Sequence, residues 1–263
     1  MSRDEPPAPP VAEGIIRDPF ARLRAATPAR IGLGQVGDGL PTAAVLEFQL
    51  AHARARDAVH AAADFTGLAA ALAPTGTIAV ASRAPDRQTY LRRPDLGRRL
   101  DPADAHRLPP GPVDIAFVVA DGLSARAIDT QAAAVLREAI ARLPQSLTVA
   151  PIVLARQARV ALGDDIGEAL GARCVAVLIG ERPGLSVADS LGIYLTYDPR
   201  RGRRDSERNC ISNIHANGGL SAAEAAGKLV WLMSEALRLQ LTGIGLKDDQ
   251  DATPRLPGSG DQT

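Results

Sequence analysis

Short segments that are apolar almost throughout recur from about residue 75 onward. Strands that are buried on both faces of a parallel sheet have this pattern, because helices cover both of those faces. The pattern predicts four such strands: TIAVAS (77–82), VDIAFVVA (113–120), TVAPIVLA (148–155) and RCVAVLIG (173–180). LGIYLTY (191–197) predicts a further strand, which we place at an edge of the sheet.

Helical patterns separate these strands. Residues 124–142 and 164–171 have helical periodicity. A last helix is predicted to begin at Ser221, where Glu224 completes a capping box, and to continue to Gly243. The alternation of strands and helices predicts an α/β fold with a doubly wound, mostly parallel, Rossmann-like sheet.

The N-terminal part of the chain has a different pattern. Between residues 18 and 74 apolar residues recur at helical spacing, and Pro41 suits the first turn of a helix. The two ends are polar and rich in Pro or Gly. We therefore predict four regions: a disordered tail (1–17), a helical N-terminal region (18–74), a Rossmann-like domain (75–246) and a second disordered tail (247–263).

Composition excludes several classes of protein. The 263 residues are 46% hydrophobic and 23% charged, which is enough apolar material for a core, and the formal net charge is zero. Without a net positive charge the chain is not expected to bind nucleic acid or anionic membranes. It has neither a signal peptide nor an apolar stretch of the ~20 residues that span a bilayer, so we expect a cytoplasmic protein. Two cysteines and four scattered histidines predict no metal site.

Two short motifs match binding signatures but lie in the wrong context. GLGQVG, from Gly32 to Gly37, matches the dinucleotide-binding pattern, yet Pro28 and several arginines stand where that pattern needs a strand. DAHRLP, from Asp104 to Pro109, resembles the histidine motif with which many cobalamin-binding domains supply a ligand to cobalt. Its final glycine is replaced by proline here and no strand precedes it, so we interpret His106 as a surface residue.

Loops that follow the predicted strands are better candidates for a site, because ligands of doubly wound folds bind at the carboxyl ends of the strands. ADGLSARA (120–127) and RVALGDDIG (159–167) each follow a strand, and each is also an ordinary entry to a helix. Glu181 follows another strand and either accepts hydrogen bonds from a ligand or pairs with Arg182. We predict a third such loop at ERNCISNIHANGGLS (207–221). We expect Cys210 in this loop to pack or to contact a ligand rather than to act as a nucleophile.

Longer blocks of the sequence resemble a known family. They are RIGLGQVGDGLPTAAVLEFQLAHARARDAV, ADGLSARA, IGERPGLSVADSLGIYLTYDPR, RNCISNI and QLTGIGLKD. These blocks are similar to the small subunit of ethanolamine ammonia-lyase, and the similarity extends from about Asp18 to Asp248. Blocks of this length in this order are far more specific than any short motif.

The resemblance implies an adenosylcobalamin-dependent lyase that converts ethanolamine to acetaldehyde and ammonia by a radical mechanism. In that family the large subunit is a barrel that holds ethanolamine, and the small subunit covers the other side of the cofactor. The cofactor is bound base-on, with its own dimethylbenzimidazole on cobalt, which agrees with the broken motif around His106. The resemblance implies that the Rossmann-like domain contacts the cofactor through Val160, Glu181 and Cys210. The resemblance also allows a location in a bacterial microcompartment, because enzymes of this family can be enclosed in one.

The sequence therefore leaves three possible functions to be compared. The first is a cofactor-binding small subunit with no catalytic residue and no metal ligand of its own, which forms a hetero-oligomer with the large subunit. The second is a stand-alone Rossmann-type dinucleotide-binding oxidoreductase, which GLGQVG favours and its context disfavours. The third is a noncatalytic scaffold protein, for which the helical N-terminal region and the polar tails argue.

Overall fold

The computed structural model describes residues 18–249, and the chain divides into two compact units between Leu50 and Ala51. The predicted disordered tail at residues 1–17 lies outside the described residues. So does most of the second predicted tail, from residue 250 onward.

The first unit, described from residue 18 to 50, contains helix α1 (Ala21–Ala26) and the first half of helix α2 (Thr42–His60). Helix α2 begins directly after Pro41, as the sequence pattern predicts. None of the described residues in this unit is buried within the chain. Large hydrophobic side chains are exposed instead, and they are Phe20, Leu23, Val36, Leu40, Leu46, Phe48 and Leu50.

The second unit is built on one six-stranded sheet with the strand order β1-β3-β2-β4-β5-β6. The first three pairings in that order are parallel, and the last two are antiparallel. The strands are β1 (Thr77–Ala81), β2 (Val113–Ala120), β3 (Ile152–Arg156), β4 (Ala172–Gly180), β5 (Leu191–Tyr197) and β6 (Asn209–Ile214).

Helices cover both faces of this sheet, which confirms the α/β class. Alternate residues of β2 enter two separate cores, with Phe117 packed on one face and Val118 on the other. The first face packs against α3, α7 and α9, and the second face packs against α8 and residues 100–108. The α-helices of this unit are α3 (Phe65–Ala71), α4 (Arg87–Arg92), α5 (Pro94–Gly97), α6 (Ala125–Ala127), α7 (Ala133–Arg142), α8 (Leu162–Leu170) and α9 (Ala222–Leu239).

Shorter helical turns complete the second unit. A π-helical turn at Ile128–Ala132 joins α6 to α7, and 3₁₀ turns lie at Pro102–Arg107, Asp205–Glu207 and Gly243–Gly245. The predicted capping box at the start of α9 is present, because the Ser221 hydroxyl and the Glu224 carboxylate each accept a hydrogen bond from the other residue's backbone N–H. In the part of the chain that the structure describes, no helix is both long enough and apolar enough to cross a membrane.

The prediction of a mostly parallel sheet is wrong for the second half of the sheet. The sheet is mixed, so a doubly wound Rossmann-like domain is not confirmed. LGIYLTY forms β5 as predicted, but β5 lies between β4 and β6 and runs antiparallel to both, rather than forming an edge. Residues 207–221, which read as a loop, contain edge strand β6. An apolar segment that is buried on both faces looks alike in either direction, which is why the sequence pattern misses this reversal.

Candidate functional site

The parallel strands β2, β3 and β4 end at the same edge of the sheet, and a cleft of about 430 Å³ lies there. Ligands of α/β sheets bind at this edge because the loops that follow the strands converge on it. The cleft is lined by side chains of the loops after each of these strands, together with residues of α4 and β5. Those that matter below are Tyr90, Arg159, Val160, Glu181, Arg182 and Tyr194.

Two glycines let the loops after β2 and β4 approach each other at the base of this cleft. The backbone N–H of Leu123 donates to the Gly180 carbonyl at 2.9 Å. Gly122 has a positive φ of 57°, and a Cβ atom added to it would lie 2.3 Å from the Gly180 oxygen. Only glycine fits at residue 122, because any side chain there would both strain the backbone and separate the two loops.

The polar residues that follow β2 hold the cleft together rather than facing a ligand. The buried Asp121 carboxylate accepts hydrogen bonds from the backbone N–H groups of Gln157 at 2.9 Å and Ala158 at 3.0 Å. Burial raises the pKa of Asp121 above its usual range. The buried Ser124 hydroxyl donates to the Ala188 carbonyl at 2.7 Å and caps α6. Asp121 therefore fixes the loop that carries Arg159 and Val160, and Ser124 fixes the loop that follows β4.

The structure brings two of the three proposed contact residues together, since Val160 and Glu181 both line the cleft. Glu181 Oε2 accepts hydrogen bonds from the Ser190 hydroxyl at 2.5 Å and from the backbone N–H of Asn213 at 3.4 Å. Among the described residues none donates a hydrogen bond to Glu181 Oε1, and the pairing with Arg182 that the sequence left open is not formed. The hydrogen bonds to Oε2 therefore fix the orientation of the carboxylate, and Oε1 remains available to accept a hydrogen bond from a ligand.

Cys210 lies on β6 beside the cleft rather than in its lining. It pairs with Tyr194 across β5 and β6, and Tyr194 lines the cleft. Partial burial, together with the negative charge of Glu181, raises the pKa of the Cys210 thiol, so the thiol is protonated at neutral pH. Burial beside Cys210 likewise raises the pKa of Tyr194 to about 12. A protonated thiol is a packing group and a weak donor, and it is a poor nucleophile.

The two motifs in the wrong context do not contribute to this cleft. GLGQVG lies in the first unit between α1 and α2, and residues 18–31, which precede it, contain no strand. The dinucleotide-binding oxidoreductase is therefore not supported. His106 is exposed on the 3₁₀ turn at Pro102–Arg107. In the described chain no group of three or more His, Cys, Asp or Glu side chains is arranged to hold a metal ion.

Fold and cleft together define this chain as an α/β protein with a ligand-sized cleft at the carboxyl ends of its parallel strands. Residues 17–247 match the family described as "Ethanolamine ammonia-lyase light chain (EutC)", and the chain belongs to that family. It is therefore the small subunit of a lyase. The names light chain and small subunit imply a larger partner chain in a hetero-oligomeric enzyme.

Curated relatives support the assignment over nearly the whole chain. The ethanolamine ammonia-lyase small subunit of Xanthomonas campestris pv. campestris is 54% identical over 244 residues, which cover 89% of each chain. That of Rhodopseudomonas palustris is 55% identical over 234 residues, or 86% of this chain and 89% of the relative. That of Bradyrhizobium diazoefficiens is 51% identical over 253 residues, or 93% of this chain and 97% of the relative.

Proposed function

We propose that this chain binds adenosylcobalamin base-on and shares it with the large subunit. In this proposal the large subunit holds ethanolamine and carries out its radical deamination to acetaldehyde and ammonia. The observation that carries the proposal is the cleft itself. Val160 and Glu181 come from different loops and line one cleft, and Cys210 contacts Tyr194 in the wall of the same cleft.

The chemistry of the cleft suits this cofactor. The corrin rim carries neutral amide groups, which donate hydrogen bonds, and Glu181 Oε1 has no donor among the described residues. Val160 and Ile179 supply apolar surface for a flat ring. The cofactor is larger than a cleft of about 430 Å³, so this chain can enclose only part of it. A partner subunit must then cover the remainder, in agreement with the hetero-oligomer that the family name implies.

The cofactor supplies the homolysis of its own cobalt–carbon bond, and the residues of this chain bind and orient it. Glu181 accepts hydrogen bonds, and Ser190 fixes the direction of its carboxylate. Val160 and Tyr194 exclude water from the surface that the ligand covers. We assign no proton transfer to this chain.

The place of the histidine that matched the cobalt-ligand motif supports base-on binding. His106 is exposed and is not among the residues that line the cleft. We therefore propose no role for His106 in binding the cofactor, which would keep its own dimethylbenzimidazole.

The first unit supports contact with the large subunit. Between residues 18 and 50 the described side chains are all at least partly exposed, and seven of the exposed ones are large and hydrophobic. Exposed apolar patches on soluble proteins mark interaction surfaces. A subunit of a hetero-oligomer can bury such side chains against a partner, and the large subunit is the partner that we propose.

Reconstitution tests this division of labour. The purified chain with adenosylcobalamin and ethanolamine should release no ammonia, because it contains only part of the site. The same chain co-expressed with its large subunit should give ethanolamine-dependent acetaldehyde, measured by coupled reduction. Turnover by the chain alone would contradict the proposal, and so would an active large subunit that needs no small subunit.

A further inference from the structure

Arg159 occupies an unusual position in the wall of the cleft. Its guanidinium carbon lies 4.4 Å from the centre of the Tyr90 ring, and its backbone N–H donates to the Gly97 carbonyl at 2.8 Å. Tyr90 is fully buried, and its hydroxyl donates to the Ala158 carbonyl at 3.0 Å. The side chain of Arg159 is therefore held against a fixed aromatic ring at the edge of the cleft.

No carboxylate among residues 18–249 compensates the charge of Arg159. Its Nε is buried and has no hydrogen-bond partner in the described part of the chain, and its Nη2 makes only a long contact of 3.4 Å with the Tyr90 carbonyl. No described carboxylate lies within ion-pair distance of it. Arg87 Nη2 and Arg208 Nε are also buried without a hydrogen-bond partner, but a carboxylate lies within ion-pair distance of each of those two guanidinium groups. A partly desolvated guanidinium with an unsatisfied N–H is costly, and native proteins tolerate one mainly where a ligand completes it.

We propose that Arg159 recognises the phosphodiester of the cofactor's nucleotide tail. This inference rests on the proposed function, because it takes the cleft to be a cobalamin site. The amides of the corrin rim are neutral, so the phosphodiester is the anionic group of the cofactor that a guanidinium would select. Arg182 also lines the cleft, but it is exposed and its charge is solvated by water. Arg159 is the arginine of the cleft that lacks compensation.

Two corrinoids that differ only in a phosphate test this directly. Adenosylcobinamide phosphate and adenosylcobinamide are titrated into the complex of this chain with the large subunit, for the wild type and for Arg159→Met. The substitution should weaken binding of the phosphate-bearing ligand by about ten- to a hundredfold, as expected for a charge-assisted hydrogen bond. It should leave binding of adenosylcobinamide unchanged. Arg159→Lys keeps the charge and should restore most of the lost affinity.

Salt dependence and a matched variant supply the controls. Added salt should weaken wild-type binding of the phosphate-bearing ligand more than binding by Arg159→Met, because the pairing is electrostatic. Arg182→Met removes the same charge from the same cleft and should keep the wild-type preference for the phosphate-bearing ligand. The affinity for adenosylcobinamide also reports whether each variant is folded.

Three results would overturn the inference. Arg159→Met could weaken both ligands equally, it could weaken neither, or the phosphate-specific loss could appear in Arg182→Met instead. If Glu181→Ala still weakens both ligands in those cases, the cleft remains the cofactor site and only the role of Arg159 fails. If neither Glu181→Ala nor Arg159→Met changes either affinity, the proposed function fails as well.

Discussion

Two carboxylates of the second unit, Asp121 and Asp164, are buried and are satisfied in different ways. Asp121 accepts backbone N–H groups and so fixes a loop. Asp164, at the start of α8, forms two 2.7 Å hydrogen bonds with the guanidinium of Arg208, and the side chains of this pair are only 3% and 1% exposed. Arg208 also donates to Thr196 on β5 at 2.8 Å. The pair therefore joins α8 to the antiparallel half of the sheet.

Breaking the Asp164–Arg208 pair should be strongly destabilising. Asp164→Asn leaves the buried Arg208 charge with only the exposed Asp205 carboxylate, 3.6 Å from its Nε, and should cost about 3–5 kcal/mol of unfolding free energy. Urea unfolding measures the loss. The control is Asp95→Asn, which breaks an exposed pair with Arg93 of the same 2.7 Å length and should cause no measurable change, because water solvates both groups. Equal effects of the two substitutions would contradict this account of the buried pair.

Cys210 offers a chemical probe of the cleft. Because partial burial and the Glu181 charge raise the pKa of its thiol, iodoacetamide should modify it slowly at neutral pH and faster as the pH rises. In the complex, adenosylcobalamin should slow this modification further if Cys210 lies beside the bound cofactor. Peptide mass spectrometry can follow both cysteines. Cys174 is the internal control, because it is fully buried and burial raises its pKa to about 12, so it should stay unmodified. A modification rate for Cys210 that adenosylcobalamin leaves unchanged would place the cofactor elsewhere.

The parallel strands are tied together at their amino ends by one carboxylate. Asp114 on β2 accepts hydrogen bonds from the backbone N–H and the hydroxyl of Thr148, both at 2.9 Å, and from Arg173 on β4 at 2.9 Å. Thr148 leads into β3, so the carboxylate links the approaches of three adjacent strands. The Thr148 hydrogen bonds, and then Arg173, lower the pKa of Asp114 below its usual value of 3.8.

This lowered pKa makes the contribution of Asp114 depend on pH. A carboxylate with a lower pKa in the folded state stabilises the fold above its unfolded pKa, and that stabilisation disappears as the pH falls through the folded pKa. The stability difference between wild type and Asp114→Asn should thus be largest near neutral pH and shrink below 3.8. Urea unfolding at a series of pH values measures it, with Asp38→Asn in an exposed loop as a control that should match wild type. A difference that stays constant with pH would refute this linkage.

The sequence predicts secondary structure well where local physics decides it, and less well where pairing decides it. The capping box at Ser221 and the apolar run of β4 are local signals, and both elements are found. The direction of β5 is not a local property, because it depends on which strand it pairs with. In β6 only Cys210, Ile211 and Ile214 carry apolar or weakly polar side chains, so an edge strand with one solvated face reads as a loop.

The candidate site shows the same division. The sequence pattern marks the loops that carry Val160, Glu181 and Cys210, and the family resemblance singles out these three residues as cofactor contacts. The pattern gives no signal for Tyr90 or Tyr194, and it marks the loop that begins at Arg159 without singling out that residue. Tyr90 lies on α4, which is distant in sequence from the loops that line the cleft. Tyr194 lies on β5, which reaches the cleft because it pairs antiparallel with β4. Their roles follow from tertiary packing.

On the scale of the whole molecule, we propose that this chain supplies one part of a site and that a partner subunit supplies the rest. Its second unit has a core on both faces of the sheet and a cleft too small for the whole of the proposed cofactor, while its first unit exposes large hydrophobic side chains. An independent enzyme of this size would be expected to enclose its ligand and to bury such side chains. Cofactor binding should accordingly be a property of the complex with the large subunit.

The affinity of that complex for adenosylcobalamin, with and without Glu181, tests the central claim most directly. Removing a charged acceptor costs about 1.5–3 kcal/mol, so Glu181→Ala should weaken binding by about ten- to a hundredfold, and Glu181→Gln should weaken it less because one acceptor oxygen remains. The Michaelis constant for ethanolamine should change little. Glu138→Ala, which removes an exposed carboxylate from α7, should bind like wild type. Equal affinities for wild type and Glu181→Ala would remove Glu181 from the site and contradict the account.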